Sequence, residues 1–149
     1  MDQDTLEQLR QLKYRYLRSL DLKQWDEFAD TLTEDVHTNY GARLRFDGRD
    51  PVVDYMRTAL PASIITVHQA HHPELTVDGD TATGQWYLED KVIVTDQRIL
   101  LTGAAFYDDE YRRCDDGRWR ISRTGYIRSY EAMESLDASW NLTANRFAG

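Results

Sequence analysis

The 149-residue sequence predicts an α+β fold in which three N-terminal helices pack into a strongly curved antiparallel sheet. Two observations carry this reading. Apolar residues recur at steps of three and four in three stretches before Pro61, a helical period; from Ile64 onward the period changes to two. The later segments are also joined by very short turns, and such turns leave room only for antiparallel neighbours.

The elements follow in order. Leu6, Leu9, Leu12, Tyr16 and Leu20 form the apolar stripe of a first helix, with Asp4 or Thr5 as its N-cap. Trp25, Phe28, Ala29 and Leu32 continue as a short second helix. Val36, Thr38 and Tyr40 then alternate with His37 and Asn39, Gly41 turns the chain, and Leu44 and Phe46 complete a hairpin. Asp50-Pro51 is expected to open a third helix, as N-cap and first helical residue. Four long strands are expected at Ile64–Val77, Thr81–Val94, Arg98–Arg113 and Trp119–Tyr130. Pro73 and Gly103 mark expected bulges or bends in them. Residues 131–149 read as a tail of undefined conformation. One domain spans the chain, with its core at about 5–130. A long twisted meander after three helices curls into a cone, the cystatin-like architecture.

Composition narrows the function. Hydrophobic residues make up 41% of the chain, enough for a core without staples, and the single cysteine, Cys114, removes any disulfide framework or multi-thiolate metal site. The net charge of −8 opposes binding to nucleic acid or to an anionic membrane surface, both of which require a cationic face. No stretch is long and apolar enough to span a membrane, and the N-terminus lacks the features of an export signal, so a cytoplasmic location is expected. Nine tyrosines favour a small-molecule pocket, because a phenol packs and hydrogen-bonds at once.

Candidate chemistry centres on the third long segment. His68, His71 and His72 invite a metal reading, but alternation places His68 and His72 on one face, about 13 Å apart at roughly 3.3 Å per residue, and His71 on the other. No metal is expected. His68 shares its face with Ile64, Thr66 and Ala70, and Asp90 interrupts an apolar stripe of Trp86, Leu88, Val92 and Val94 on the next strand. A buried carboxylate needs a donor. That donor is either the His68 imidazole, which would then act as an oriented base, or an arginine. Asp21 reads either as an ion-pair partner of Arg18 or as a pocket carboxylate, and Tyr16 as a core or a pocket tyrosine. Thr124, Tyr126, Arg128 and Tyr130 share one face of the last strand, with Trp119 and Ile121 on the other. Arg128 is thus either solvated or paired with an interior acid. No glycine elbow, triad or phosphate loop is present.

The segments Leu12–Asp21, Thr33-Glu34-Asp35-Val36, Gly84–Asp90 and Thr124–Arg128 resemble the SnoaL-like branch of the NTF2-like superfamily, over about Leu9 to Tyr130. Within it the nearest resemblance is to bacterial bile acid 7α-dehydratases, and more distantly to scytalone dehydratases. The resemblance implies a cofactor-independent dehydratase acting on a hydroxylated polycyclic or steroid-like ketone. It implies His68 as general base, Asp90 as its orienting partner, Tyr16 as donor to the substrate carbonyl, and Asp21 with Arg128 at the polar end of the pocket. Tyr40, Trp86 and Tyr126 are expected to bind substrate, a small hydrophobic carbonyl compound. Relatives of this kind pair their sheets, so a homo-oligomer, dimer or trimer, is expected, with Thr83, Gln85 and Tyr87 on the outer face. The same pocket also suits an isomerase or cyclase, or a module that binds a small molecule without reaction.

Overall fold

A computed structural model describes residues 2–41 and 43–148; Met1, Ala42 and Gly149, which include both ends of the expected domain, lie outside the described residues. Helix α1 (Gln3–Asp21) buries Leu6, Leu9, Leu12, Tyr16, Leu17 and Leu20 along one stripe. Its cap is Asp2 and not Asp4 or Thr5: the Asp2 carboxylate accepts the Asp4 N–H at 3.0 Å and the Thr5 hydroxyl at 2.9 Å. Helix α2 is Trp25–Asp30, and α3 is Arg49–Ala59. The α3 cap is Gly48, at φ 99°, so Asp50 and Pro51 lie inside the first turn. Proline is accommodated there because N–H groups of a first turn have no helical partner.

Six strands follow the expected order: β1 (Leu32–Asn39), β2 (Arg45–Asp47), β3 (Ile64–Asp78), β4 (Thr81–Val94), β5 (Ile99–Arg113) and β6 (Trp119–Ser135). They form one curved, unclosed sheet in the order β2-β1-β6-β5-β4-β3. The β3–β6 meander is antiparallel throughout, but β1 joins β6 in parallel, so the sheet is mixed at that junction. This arrangement leaves β3 as a free edge, beside the C-terminal end of α1.

Bulges bend the strands and re-aim their side chains. The β3–β4 register shifts between His71 and Glu74, where His72 adopts a left-handed φ of 51°, beside the expected break at Pro73. In β6, Ser122 is an extra residue opposite the Glu110–Tyr111 step. It corrects the expected split of faces, because the parity flips there. Trp119 and Ile121 are therefore buried in the same core as Thr124 and the partly buried Tyr126. A second extra residue, Ser129, flips the parity again and sends Tyr130 to the convex face, beside Val67 and Glu89.

The chain beyond β6 is pinned. The Arg98 guanidinium donates to the Asp137 and Trp140 carbonyls, the Asn145 amide donates to the Ala62 carbonyl at 3.1 Å, and the Lys23 ammonium lies over the Phe147 ring at 4.8 Å. These contacts carry the tail back to the junction of α1 and β3. No described helix is long and apolar enough to cross a membrane.

Candidate active site

Asp21 is the last residue of α1, where the helix dipole disfavours an anion. Three donors offset that cost. The Thr66 hydroxyl donates to Oδ1 at 2.8 Å, the His68 backbone N–H donates to Oδ2 at 2.8 Å, and His68 Nδ1 lies 2.6 Å from Oδ1. The backbone donor is available because β3 is an edge strand whose N–H groups are not all claimed by a neighbour. A carboxylate accepting from Nδ1–H selects the tautomer with an unprotonated Nε2, and Nε2 is bonded to no other described residue. The pair is shielded without being sealed: the side chains are 13% exposed for His68 and 21% for Asp21.

This geometry corrects the expected partnership. Asp90 does stand directly across from His68 in the β3–β4 register, but its carboxylate is held by Arg128, with Nη1–Oδ1 at 2.5 Å and Nη2–Oδ2 at 3.0 Å. The fork of a guanidinium matches a carboxylate better than a single imidazole N–H does. Arg128 reaches from β6 to β4 across the intervening β5 at Gly103; a Cβ at that position would lie 2.5 Å from Nη1. Gly103 is thus the window through which the pair forms. Burial opposes the charge on Arg128, but Asp90 outweighs it and holds the guanidinium pKa above its ordinary value.

A tyrosine cluster fills the depth of the cone. The Tyr16 and Tyr40 hydroxyls lie 2.5 Å apart, and the Tyr40 ring packs on Tyr126 with centroids 5.7 Å apart. Tyr126 in turn meets Tyr107 edge-on at 5.4 Å and the Arg128 guanidinium at 5.0 Å. Tyr126 therefore joins the hydroxyl pair to the Asp90–Arg128 pair. Burial pushes the Tyr16 and Tyr40 phenols well above the usual value, so both remain protonated donors at neutral pH.

Trp86, expected to bind substrate, does not face open space. It is almost completely buried, and its Nε1–H donates to the Tyr111 hydroxyl at 2.9 Å, which makes it part of the core. The alternation of β4 gave its face correctly but not its depth. Sequence reasoning missed the group beneath it. Lys13 Nζ lies 2.8 Å from Asp109 Oδ2, both side chains fully buried, and 3.4 Å from the Tyr107 ring centroid. Asp109 also accepts the Tyr111 and Thr124 hydroxyls. The signals were present: Lys13 sits inside the α1 apolar stripe, and Asp109 shares parity with Tyr107 and Tyr111. Burial pulls the Lys13 pKa down, against the opposing pull of Asp109.

Outside the dyad lies a cleft of about 530 Å³ between α1 and the β3 edge, lined by Tyr14, Arg18, Asp21, His68, His71 and Arg146 among others. The β3 bulge puts the His71 and His72 rings 5.9 Å apart, yet among the described residues no three His, Cys, Asp or Glu side chains converge to hold a metal ion.

The model of the SnoaL-like domain matches residues 3–125. The chain belongs to the SnoaL-like family. Solved structures of similar shape agree with the cone seen in this SnoaL-like protein. It superposes on a hexachlorocyclohexane dehydrochlorinase, LinA type 2, with a TM-score of 0.80 at 19% identity, covering 89% of this chain and 90% of that one. The LinA type 3 protein of Novosphingobium barchaimii gives 0.80 at 17% identity, covering 95% of both chains. A scytalone dehydratase-like protein of Novosphingobium aromaticivorans gives 0.78 at 17% identity, covering 97% of this chain and 93% of that one. Identities this low establish a shared fold.

Proposed function

We propose that this SnoaL-like protein is a cofactor-independent lyase, a dehydratase in which His68 Nε2 removes a proton from carbon beside a carbonyl. The observation that carries the reading is the Asp21–His68 pair: an imidazole fixed through Nδ1, with Nε2 left unbonded beside an accessible cleft. As the C–H proton moves to Nε2, its electron pair forms an enolate. The enolate then expels the β-hydroxyl, which leaves as water by taking the proton back from the imidazolium. The hydroxyl pair of Tyr16 and Tyr40, with one proton lying between the two oxygens, is assigned as the neutral donor for the developing oxyanion, a role that requires substrate to open this buried cluster. Arg128, forked onto Asp90, is a fixed group beside the Tyr126 ring. The three named neighbours, two dehydrochlorinases and a scytalone dehydratase-like protein, suggest eliminations, which supports a lyase over an isomerase or cyclase.

The substrate class proposed is a hydroxylated polycyclic or steroid-like ketone, with aromatic rings of Tyr40 and Tyr126 against its apolar body. A row of Tyr87, Phe106 and Ile127 across the convex face, with the first two rings 4.4 Å apart, supports a homo-oligomer formed through that face. Incubation of a panel of β-hydroxy ketones in D₂O tests the reaction. Loss of water or deuterium uptake beside the carbonyl, abolished by His68→Ala, is expected. A panel showing neither rejects it.

A further inference from the structure

Helix α1 ends on an unusual residue. The Gln24 N–H donates to the Ser19 carbonyl at 2.8 Å and the Lys23 N–H to the Leu20 carbonyl at 3.1 Å, the paired bonds of a Schellman cap. The first residue past such a cap takes a left-handed φ, and glycine usually fills that place because it has no Cβ to clash. Here it is Lys23, at φ 59°. A lysine held in that conformation costs stability that a glycine would not. Its side chain supplies the reason. The ammonium donates to the Ile64 carbonyl at 2.7 Å, on the free edge of β3, and the Phe147 ring of the tail lies against it at 4.8 Å. Ile64 precedes His68 along the strand by about 13 Å, at roughly 3.3 Å per residue. Asp21, just before the cap, grips the same strand at Thr66 and His68. The end of α1 is therefore fastened to β3 at two points, by a carboxylate and by an ammonium. Burial pulls the Lys23 pKa down and Asp21 opposes that pull, so each charge favours the other.

We infer that Lys23 is a positioning residue for the Asp21–His68 dyad: its bond to the Ile64 carbonyl fixes the angle at which α1 meets β3, and with it the place of the Asp21 carboxylate against the imidazole. One attachment would let the helix end pivot about Thr66 and His68. A second attachment farther along the strand removes that freedom. The restraint matters because a general base works only when held within about 0.5 Å of its productive place. Lys23 touches no reacting atom and acts through Asp21. Its role in turnover rests on the lyase reading; the restraint itself does not.

Three substitutions in the full chain test the restraint. Lys23→Met removes the ammonium and keeps the stem, Lys23→Gly supplies the residue that the cap favours, and Lys23→Arg keeps a donor. Native-state hydrogen exchange and imidazole nitrogen NMR read the dyad without substrate. In Lys23→Met and Lys23→Gly the His68 amide, which donates to Asp21, should exchange about tenfold faster, while that of Leu88, on a strand paired on both sides, keeps its rate. The His68 ring nitrogens should shift toward a mixture of tautomers in both variants, and Lys23→Arg should restore both signals. On a substrate from the deuterium panel, kcat should fall about tenfold in Lys23→Met and Lys23→Gly with KM little changed. Unchanged His68 signals in either variant overturn the inference, as does a kcat unmoved by a loosened dyad. Equal acceleration at Leu88 also overturns it, because Lys23 would then serve general stability. A dyad that loosens as expected in a chain that eliminates nothing supports the restraint and rejects the lyase reading alone.

Discussion

Asp21 ends the first helix with one oxygen 2.6 Å from the His68 ring and the other 2.8 Å from the His68 backbone N–H, so a single carboxylate fixes both the strand edge and the imidazole. Asp21→Asn keeps the shape but presents an amide to Nδ1, and either tautomer of the ring then finds a partner. The expected result is a fall in kcat of two orders of magnitude or more, with KM little changed. Steady-state kinetics on any substrate that the deuterium panel identifies, alongside a thermal melt, would check it. A collapse in melting temperature as large as the loss of rate would make Asp21 a structural residue only.

Gly103 is predicted to matter through Arg128. In Gly103→Ala the new Cβ meets the tip of a flexible side chain, and the cheapest response is for Arg128 to leave Asp90. Asp90, with only 3% of its side chain exposed, is then a buried charge without its partner. The loss should be about 2–4 kcal/mol in urea denaturation. Arg128→Met should cost a similar amount, and the double variant little more than either, because both act on one contact. Full additivity would mean that Gly103 is constrained by something else, such as the Tyr130 carbonyl 3.0 Å from the same Cβ position.

The element order and the strand parity of β4 and β5 were legible because period and turn length are local properties. In β3 the extra residue between His71 and Glu74 reverses the parity, and His71, expected on the opposite face, lines the same cleft as His68. His68 and Asp90 were read on neighbouring strands, and the register sets them directly opposite each other, since a short turn fixes the register of an antiparallel pair. What decided their partners was not local. Asp21 reaches His68 only because α1 packs on the free edge of β3, and Arg128 reaches Asp90 only because a glycine opens β5. Parity failed along β6 for a related reason: Ser122 and Ser129 each insert one residue, and neither serine announces a bulge as proline or glycine does. Depth was also hidden, so Trp86 read as pocket lining when it is core.

The Lys13–Asp109 pair offers a separate test of the cone's interior. Removing the cation alone, in Lys13→Met, leaves Asp109 buried with only the Tyr111 and Thr124 hydroxyls, and should cost roughly 3–5 kcal/mol. Lys13→Met with Asp109→Asn removes both charges and should recover more than half of that loss. Chemical denaturation of the two single variants and the double gives the coupling directly. A double variant as unstable as the sum of the singles would show that packing, and not charge, dominates the site.

Alkaline pH should unfold the protein through its tyrosines. Burial raises the phenol pKa of Tyr16, Tyr107 and Tyr111 well above the usual value of 10.0, and raises Tyr40 as well. Below about pH 10 these groups are protonated in both the folded and the unfolded chain and contribute no pH dependence. Above it, the unfolded chain releases protons that the folded chain retains, so stability falls as pH rises. In a spectrophotometric titration a free phenol ionises reversibly near pH 10. The buried group should ionise at higher pH in a single step, coincident with loss of far-ultraviolet dichroism. Gradual ionisation of all nine tyrosines in a folded chain would contradict the burial of the hydroxyl cluster.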